Sequence, residues 1–582
     1  MQHKQNLKSI GFATLAYAML FFCTLFLQCM IFHYLAFKEY VGSSIIHDPI
    51  LFWSFYLPKI SICLFASVFV FLFPKKRWTI VVSVIMALWI WAELIYYRIN
   101  GFFLDAYSLS MVGNMKGFWS SVLAFIHPSD IVIAIPTLVL LLFLILLKPQ
   151  STSRWSAVAV FVLSIVLHIV GTLSLDAKIE RDAIIYDDLE TRPGMTFNPF
   201  SKKGVAFFGC SPKGYIYKMS VLHCIALDVW NLIEIPFHTK PAAILENVVD
   251  SSPLFNPSGN NPAPKGNLYI ILFESFENWS ISPRTTPVIY EFINSHNNLL
   301  WAQKVIRQTK RGVSGDGQMI VNAGILPVSA GATCFRFPNN CYPSLSELFK
   351  KAALIQPGDL LVWNQKKMSD AYHISDNLLV PDKNDSTTFS ILTDIYRDYS
   401  YVMAISMASH TPFLRCPDNM KLNRDSSMPK IMADYLDCVH YTDSLLGDFL
   451  EKVDTDETLR NSTIIITGDH TIFDDDLRRK FNDYFISSGE DKKAEAYCPF
   501  IIYSPSIKEK TIVEKEVYQM DIFPTALHAI GCDSTYYWKG FGINLLDRDA
   551  VRTLTEEDAF ALSEKMILAD YWRYIKDGDA AR

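Results

Sequence analysis

Two apolar patterns follow each other along the chain. Up to about residue 175 the apolar residues come in long runs: Ile10–Phe37, which holds no Lys, Arg, Asp or Glu, then Leu51–Pro74, Trp78–Tyr97, Ile131–Leu147 and Trp155–Leu175. Each is about long enough to cross roughly 30 Å of hydrocarbon as a helix, so the pattern predicts five membrane spans. The first run is also far longer than the apolar region of a signal peptide. From Asn267 onward the runs are short, rich in Ile, Val and Tyr, and do not alternate: NLYIILF, YVMAISM, STIIITGD and PFIIYSP. Short unalternating runs suit parallel strands buried on both faces. Stretches with a helical pattern, MADYLDCVHYTDSLLGDFLEKV and SLSELFKKAAL, lie between them. Alternation of strand and helix predicts an α/β domain with helices on both faces of the sheet.

The two patterns are joined by a connector at 176–265. Its middle, GYIYKMSVLHCIALDVWNLIEIPF, reads as a helix lying on a membrane surface, and its end, SSPLFNPSGNNPAPKG, as a flexible linker. The expected division is therefore a helical membrane domain at 1–175, the connector at 176–265, the α/β domain at 266–550 and a tail at 551–582.

Basic residues orient the spans. Lys4 and Lys8 precede the first, Lys75, Lys76 and Arg77 separate the second from the third, and Lys148 and Arg154 flank the turn between the fourth and fifth. All fall on one side when the N-terminus is cytoplasmic. Five crossings then place everything beyond about Leu175 outside the cytoplasm, with the chain held in the plasma (inner) membrane. Two charges interrupt the spans, Lys59 and Glu93, either snorkelling to the interface or pairing beside a lipid cleft. The composition agrees with a membrane protein: 50% of residues are hydrophobic, only 19% are charged, and the mean hydropathy is +0.18. A net charge of −6 gives no basic balance that would point to a nucleic acid.

In open α/β sheets the ligand site lies beyond the C-terminal ends of the strands. Read at those ends, NLYIILFE delivers Glu274, STIIITGDH delivers Asp469 and His470, and YVMAISMASH delivers Ser409 and His410. Any one of these has a bland reading as a loop cap. Two carboxylates and an imidazole at one rim form the donor set of a divalent cation of the manganese or zinc kind. Such an ion would offset the burial of Glu274 at the end of a core strand. Between these strands lies KRGVSGDGQ, where Ser314 sits between Gly and Gly-Asp-Gly ahead of a helix-like stretch. A helix N-terminus there offers N–H groups to an anion, and a metal-bound hydroxyl becomes a usable nucleophile. Taken alone, Ser314 reads more simply as an N-cap.

From about Asn267 to Asp547 the chain resembles the alkaline phosphatase–sulfatase superfamily. It most resembles the membrane branch of lipoteichoic acid synthases and other phosphoglycerol transferases. The resemblance rests on NLYIILFESFENW, KRGVSGDGQ, VWNQ, MASHTPF, HYTDSLLGDFL, IIITGDH and YQMDIFPTALHAIG, in that order. It implies a multi-pass helical membrane domain followed by an extracytoplasmic sulfatase-like α/β domain. It implies that Glu274, Ser314, Asp469 and His470 bind one divalent ion, Mn2+ with Zn2+ or Mg2+ as alternatives. Ser314 would be the nucleophile, His410 would act at the phosphate or leaving group, and Trp363 would hold the substrate. The donor would be a membrane phospholipid and the acceptor an envelope glycan or glycolipid.

The chain departs from that branch at two positions. The synthases usually carry Thr where Ser314 stands, and their Trp-Asn-Arg is here Trp363-Asn364-Gln365. Loss of the arginine removes a bidentate phosphate ligand and opens phosphoethanolamine transfer, or phosphodiester hydrolysis, as alternatives. Sulfate ester hydrolysis is argued against, because Ser314 is followed by Gly-Asp-Gly-Gln and not by the Pro and Arg that sulfatases need. A catalytically idle scaffold is the non-enzymatic alternative, but idle homologues usually lose a ligand and all four are present. Of the 11 cysteines, Cys334 and Cys341 lie near the site and could pair in an oxidising compartment.

Overall fold

The computed structural model describes residues 2–37, 49–73, 75–100, 103–104, 107, 119–146, 154–182, 196–198, 212–227, 254–256 and 263–577. The chain forms two compact units, one of residues 1–106 and 122–237 and the other of 107–121 and 238–582.

The first unit is helical, with α1 (Gln2–Phe37), α2 (Pro49–Leu72), α3 (Lys76–Asn100), α4 (Ile135–Leu146) and α5 (Arg154–Asp182). Among the described residues four stretches are long and apolar enough to cross a membrane: Ala16–Phe37, Ser54–Leu72, Lys76–Ile99 and Trp155–Ala177. The fourth expected span, 131–147, differs. It is a 3-10 segment, Pro128–Ala134, leading into α4, which has only 12 residues. Pro128 and Pro136 explain this, since a proline lacks its N–H and fits only the first turn of a helix. The α-helix therefore starts afresh at Ile135.

Lys59 and Glu93 are both completely buried, so neither snorkels, and they do not form one pair. The Lys59 ammonium donates to the carbonyls of Phe55, Tyr217 and Lys218 at 3.2, 3.2 and 2.9 Å and lies 3.6 Å from the Phe55 ring centroid. Glu93 accepts from Trp89 Nε1 at 2.9 Å and Leu104 N at 2.8 Å. Each buried charge is thus satisfied by local polar groups. Gly171 of α5 lies against the Pro58 ring of α2, where a Cβ would come within 3.0 Å of Cδ. A small residue there lets the two backbones approach closely.

The second unit is built on an eight-stranded sheet: β1 (Leu268–Phe273), β2 (Leu299–Ile306), β3 (Ala352–Pro357), β4 (Asp376–Val380), β5 (Tyr401–Ile405), β6 (Thr463–Gly468), β7 (Tyr497–Tyr503) and β8 (Thr511–Tyr518). The order is β4-β3-β5-β1-β6-β7-β2-β8, and β7 alone runs against its neighbours. The sheet is covered on both faces. Tyr269, Ile271 and Phe273 of β1 belong to one core cluster with α6 (Pro287–Ser295), α8 (Asp385–Ile395) and α9 (Lys430–Leu450). The alternate residues Ile270 and Leu272 are equally buried on the other face. That double burial is why these strands carry no polar alternation.

Three expectations change here. SLSELFKKAAL is not a helix: one 3-10 turn at Ser346–Leu348 leads into β3, whose Ala352 to Leu354 are buried between β4 and β5. The 551–582 tail carries two helices, Glu556–Leu568 and Tyr571–Asp577, and Ser563 donates to Leu326 O at 2.6 Å within the same unit. Part of the presumed linker also packs on this unit, since the Phe255 ring lies 5.1 Å from that of Trp538. Cys334 and Cys341 are not joined in a disulfide. Of the expected surface helix, 212–218 and 221–227 are helical; residues 228–237 lie outside the described residues.

Candidate functional site

The register of β1 and β6 builds the centre of the site. Phe273 pairs with Gly468, so the next residues, Glu274 and Asp469, leave the sheet side by side. Asp469 N donates to Phe273 O at 3.1 Å, and Ser275 N donates to Asp469 Oδ1 at 2.9 Å. Ser275 reaches this position with φ +48°, and its hydroxyl donates to Glu274 Oε1 at 2.8 Å. From β5, Ser406 Oγ accepts from Glu274 N at 2.9 Å and Ser409 Oγ donates to Glu274 O. The backbone of Glu274 is therefore held from the β5 end and its carboxylate by the neighbouring Ser275 hydroxyl.

His470 completes the cluster. Its Nδ1 lies 3.0 Å from Thr471 O. A carbonyl only accepts, so Nδ1 carries the proton and Nε2 presents a lone pair. Nε2 lies 3.4 Å from Glu274 Oε1 and 3.4 Å from Asp469 Oδ2. One donor atom from each of Glu274, Asp469 and His470 falls within 4.8 Å of the others, all buried. Burial and the neighbouring Asp469 carboxylate push Glu274 well above the usual carboxylate range. Asp469 Oδ2 is buried with no hydrogen-bond partner. Two crowded carboxylates, one of them with an orphaned oxygen, beside an imidazole lone pair fit a divalent cation.

Ser314 arrives from α7 (Val313–Ala323). Its Oγ is 3.4 Å from both Glu274 Oε2 and His470 Nε2. The turn that aims it is tightly made. Val313 sits at φ +44°, where a β-branched residue is strained. Asp316 closes the turn by accepting from Lys310 N and Gly312 N, both at 2.9 Å. Burial pushes the Asp316 carboxyl up to about 7. A Cβ at Gly317 would come within 2.7 Å of Asp469 O, so only glycine lets the first turn of α7 reach the rim. A Cβ at Gly315 would stand 3.2 Å from Trp363 Cγ. Trp363 therefore lies directly on the Ser314 turn.

The remaining predicted site residues fall in different places. His410 is half-buried at the β5 end. Its Nδ1 lies 2.7 Å from Thr411 O, leaving Nε2 with the lone pair. Enclosure by protein lowers its pKa to about 4, so the ring is neutral at neutral pH. Gln365 is buried and donates to Ser369 Oγ at 3.2 Å. Residues not singled out in the sequence also shape the centre. Gln519 donates to Asp469 O at 2.8 Å and accepts from Gln308 N at 2.7 Å. Glu277 binds Arg478 at 2.6 Å and accepts from Ile472 N at 2.9 Å, tying the loop after β1 to the loop after His470.

Comparison with known proteins agrees with this architecture. Residues 338–532 match the sulfatase family, a segment that holds His410, Asp469 and His470, with Glu274 and Ser314 N-terminal to it. Residues 1–190 match the lipoteichoic acid synthase N-terminal domain. The lipoteichoic acid synthase of Staphylococcus saprophyticus is 22% identical over 534 residues, covering 84% of this chain and 78% of that protein. The fold is also similar to that of the lipooligosaccharide phosphoethanolamine transferase A of Neisseria meningitidis, with a TM-score of 0.54 at 10% identity over 89% of this chain and 96% of that one. The lipoteichoic acid synthase LtaP of Listeria monocytogenes gives a TM-score of 0.45 at 17% identity over 56% of this chain and 97% of that one. The class is thus a sulfatase-type α/β domain carried by a chain with hydrophobic N-terminal helices. The chain carries these two matched segments in order along its length and is similar to lipoteichoic acid synthases over most of it.

Proposed function

We infer that this protein is a membrane phosphotransferase that moves a phosphoglycerol head group from a phospholipid to an envelope glycan or glycolipid through a phospho-serine intermediate. The observation that carries this reading is the position of Ser314 Oγ, 3.4 Å from both Glu274 Oε2 and His470 Nε2 at the start of α7. Glu274, Ser314, Asp469 and His470 would hold the ion. Three oxygen donors and one imidazole favour Mn2+, with Zn2+ or Mg2+ as alternatives. Bound there, it would make the serine hydroxyl a better nucleophile and offset charge on the phosphoryl oxygens.

In the first step Ser314 Oγ bonds to the lipid phosphorus, the P–O bond to diacylglycerol breaks, and the leaving oxygen ends protonated as the serine loses its proton. In the second, an acceptor hydroxyl bonds to the same phosphorus and the Ser314 Oγ–P bond breaks. The acceptor's proton passes to His410 Nε2, since Nδ1 is held on Thr411 O, and from there to the departing Ser314 oxygen, which restores the serine hydroxyl. The positive dipole end of α7 would lie beside the anion, and the Trp363 ring covers the Ser314 turn.

Incubation of the full chain with vesicles of phosphatidylglycerol, then of phosphatidylethanolamine, followed by mass spectrometry of the Ser314 peptide, tests the donor. An adduct of glycerol phosphate is expected. Ethanolamine phosphate on Ser314 would move the reading to phosphoethanolamine transfer, and no adduct from either lipid would defeat it.

The topology we propose has five crossings and an extracytoplasmic catalytic domain. Support for the crossing at 131–147 comes from α3 and α4. At one end Arg98 binds Asp130 through two 2.8 Å bonds. At the other, Lys76 donates to Leu144 O. The 128–146 stretch thus runs antiparallel along most of α3, its 3-10 portion rising about 2 Å per residue against 1.5 Å in an α-helix. Reporter fusions at Lys76 and Asn260 should read cytoplasmic and extracytoplasmic; the same compartment at both would sink the topology.

A further inference from the structure

Trp363 and Asn364, in the loop after β3, both have left-handed backbones, with φ +52° and ψ +27° at the first and φ +53° and ψ +37° at the second. Asparagine tolerates that region, but a bulky aromatic residue there is a steric outlier. Such strain persists only where the surroundings impose it, and it gathers at functional sites. Trp363 packs on the Ser314 turn. Its Cγ, Cβ and Cδ2 stand 3.2, 3.3 and 3.3 Å from where a Cβ at Gly315 would lie. The residue is half-buried, so part of it stays exposed beside that turn.

Asn364 supplies the constraint. It stands at the N-cap of the short helix Gln365–Ala371, where an asparagine side chain ordinarily accepts from the first N–H groups of the helix. Here it makes no cap bond. The amide is turned away instead, and Nδ2 donates to Cys334 O at 2.9 Å. Asn364 N donates to Leu361 O at 3.1 Å, closing the turn that contains Trp363.

The carbonyl that receives the amide belongs to a well-fastened segment. Cys334 is buried within the helical turn Thr333–Arg336, and Thr333 Oγ1 accepts from Val328 N at 3.1 Å. Before that turn, Ser329 Oγ donates to the Glu564 carboxylate at 2.9 Å. After it, Asn340 Nδ2 donates to Ile567 O at 2.6 Å and Cys341 N to Asp570 Oδ1 at 2.8 Å. Glu564, Ile567 and Asp570 belong to the C-terminal tail. The tail therefore braces the segment to which Asn364 is tied.

We propose that Asn364 is a positioning residue for the donor step. Its amide, fastened to Cys334 O, holds Trp363 in the left-handed conformation against the Ser314 turn, where the ring borders the space in which the lipid phosphate meets Ser314. The proposal deepens the transferase reading and rests on it for that phosphate.

The test uses the metal-loaded full chain. Asn364→Gly keeps the left-handed backbone at no steric cost and removes the amide. Asn364→Asp keeps the size and removes the donor. In hydroxyl-radical footprinting read by mass spectrometry, oxidation of Trp363 should rise by about threefold or more in both, with metal content retained. KM for phosphatidylglycerol vesicles should rise about tenfold, the scale of one lost hydrogen bond, with kcat within about threefold. Because Asn364 acts through Trp363, the two changes should not add. Trp363→Ala should raise KM at least as much, and adding Asn364→Gly to it should raise KM by less than about threefold more. Unchanged Trp363 oxidation in both variants would overturn the proposal. So would a double variant whose KM rise is the product of the single ones, or loss of metal from both single variants, since Asn364 touches none of the grouped ligands. The two readings fail separately. Raised oxidation with no Ser314 adduct from any form supports the latch and defeats the transferase. An adduct with unchanged oxidation does the reverse.

Discussion

Glu274→Ala and Asp469→Ala should each leave the protein without a bound divalent ion and without transfer activity. The two carboxylates are set side by side by the pairing of Phe273 with Gly468, both buried, with Asp469 Oδ2 lacking a hydrogen-bond partner. Such crowding is unfavourable unless a cation offsets it. Removing one ligand takes away charge and geometry together, and a loss of about a thousandfold or more in rate follows from several kcal/mol of lost charge stabilisation. Metal analysis of the purified chain is the direct readout, independent of activity. Ser275→Ala should give a graded result, a metal affinity lower by about 10–100-fold, because its hydroxyl only steadies Glu274 Oε1 at 2.8 Å. Without metal, Glu274→Ala should unfold no earlier than the metal-free wild type, since it removes a buried carboxylate from beside Asp469. Full metal occupancy in either alanine variant would mean that the ligand set is wrong.

The parts of the fold that were legible are those with a single cause. β1, β5, β6 and β7 are buried on nearly every residue, so each is a continuous apolar run, and the residue that ends the run stands at the rim. That logic alone reaches Glu274, Asp469 and His470. β8 hides because it is an edge strand whose Glu and Lys face solvent. β3 hides because Ser-Glu-Leu-Phe-Lys-Lys-Ala-Ala is built of helix formers and only its place between β4 and β5 makes it a strand. The 128–146 stretch kept its apolar length but lost its helical continuity to two prolines. Asp316 and Gln519 were invisible for another reason. Each acts by bonding a backbone group of a loop distant in sequence or curled back on itself, and no spacing along the chain encodes which loops will meet.

Ser314→Ala should form no covalent adduct, whereas His410→Ala should form one and turn it over slowly. Ser314 Oγ is the hydroxyl set between Glu274 Oε2 and His470 Nε2, and the strained Val313 and the Asp316 clamp exist to hold it there. Its removal leaves nothing in the turn to bond to phosphorus. His410 is not among the grouped metal ligands, so its alanine variant should retain its ion. What it loses is Nε2, the proton acceptor for the incoming hydroxyl, and the rate should fall by roughly the 10²–10⁴-fold typical of a missing acid–base group. The phospho-serine form should then accumulate, visible as a burst followed by slow release. Because enclosure lowers the His410 pKa to about 4, the ring stays neutral as pH falls from neutrality. The second step in the wild type should therefore hold its rate to about pH 5 before declining, and that acid limb should be absent from His410→Ala. Appreciable transfer by Ser314→Ala would rule out the covalent route and leave direct attack by the acceptor.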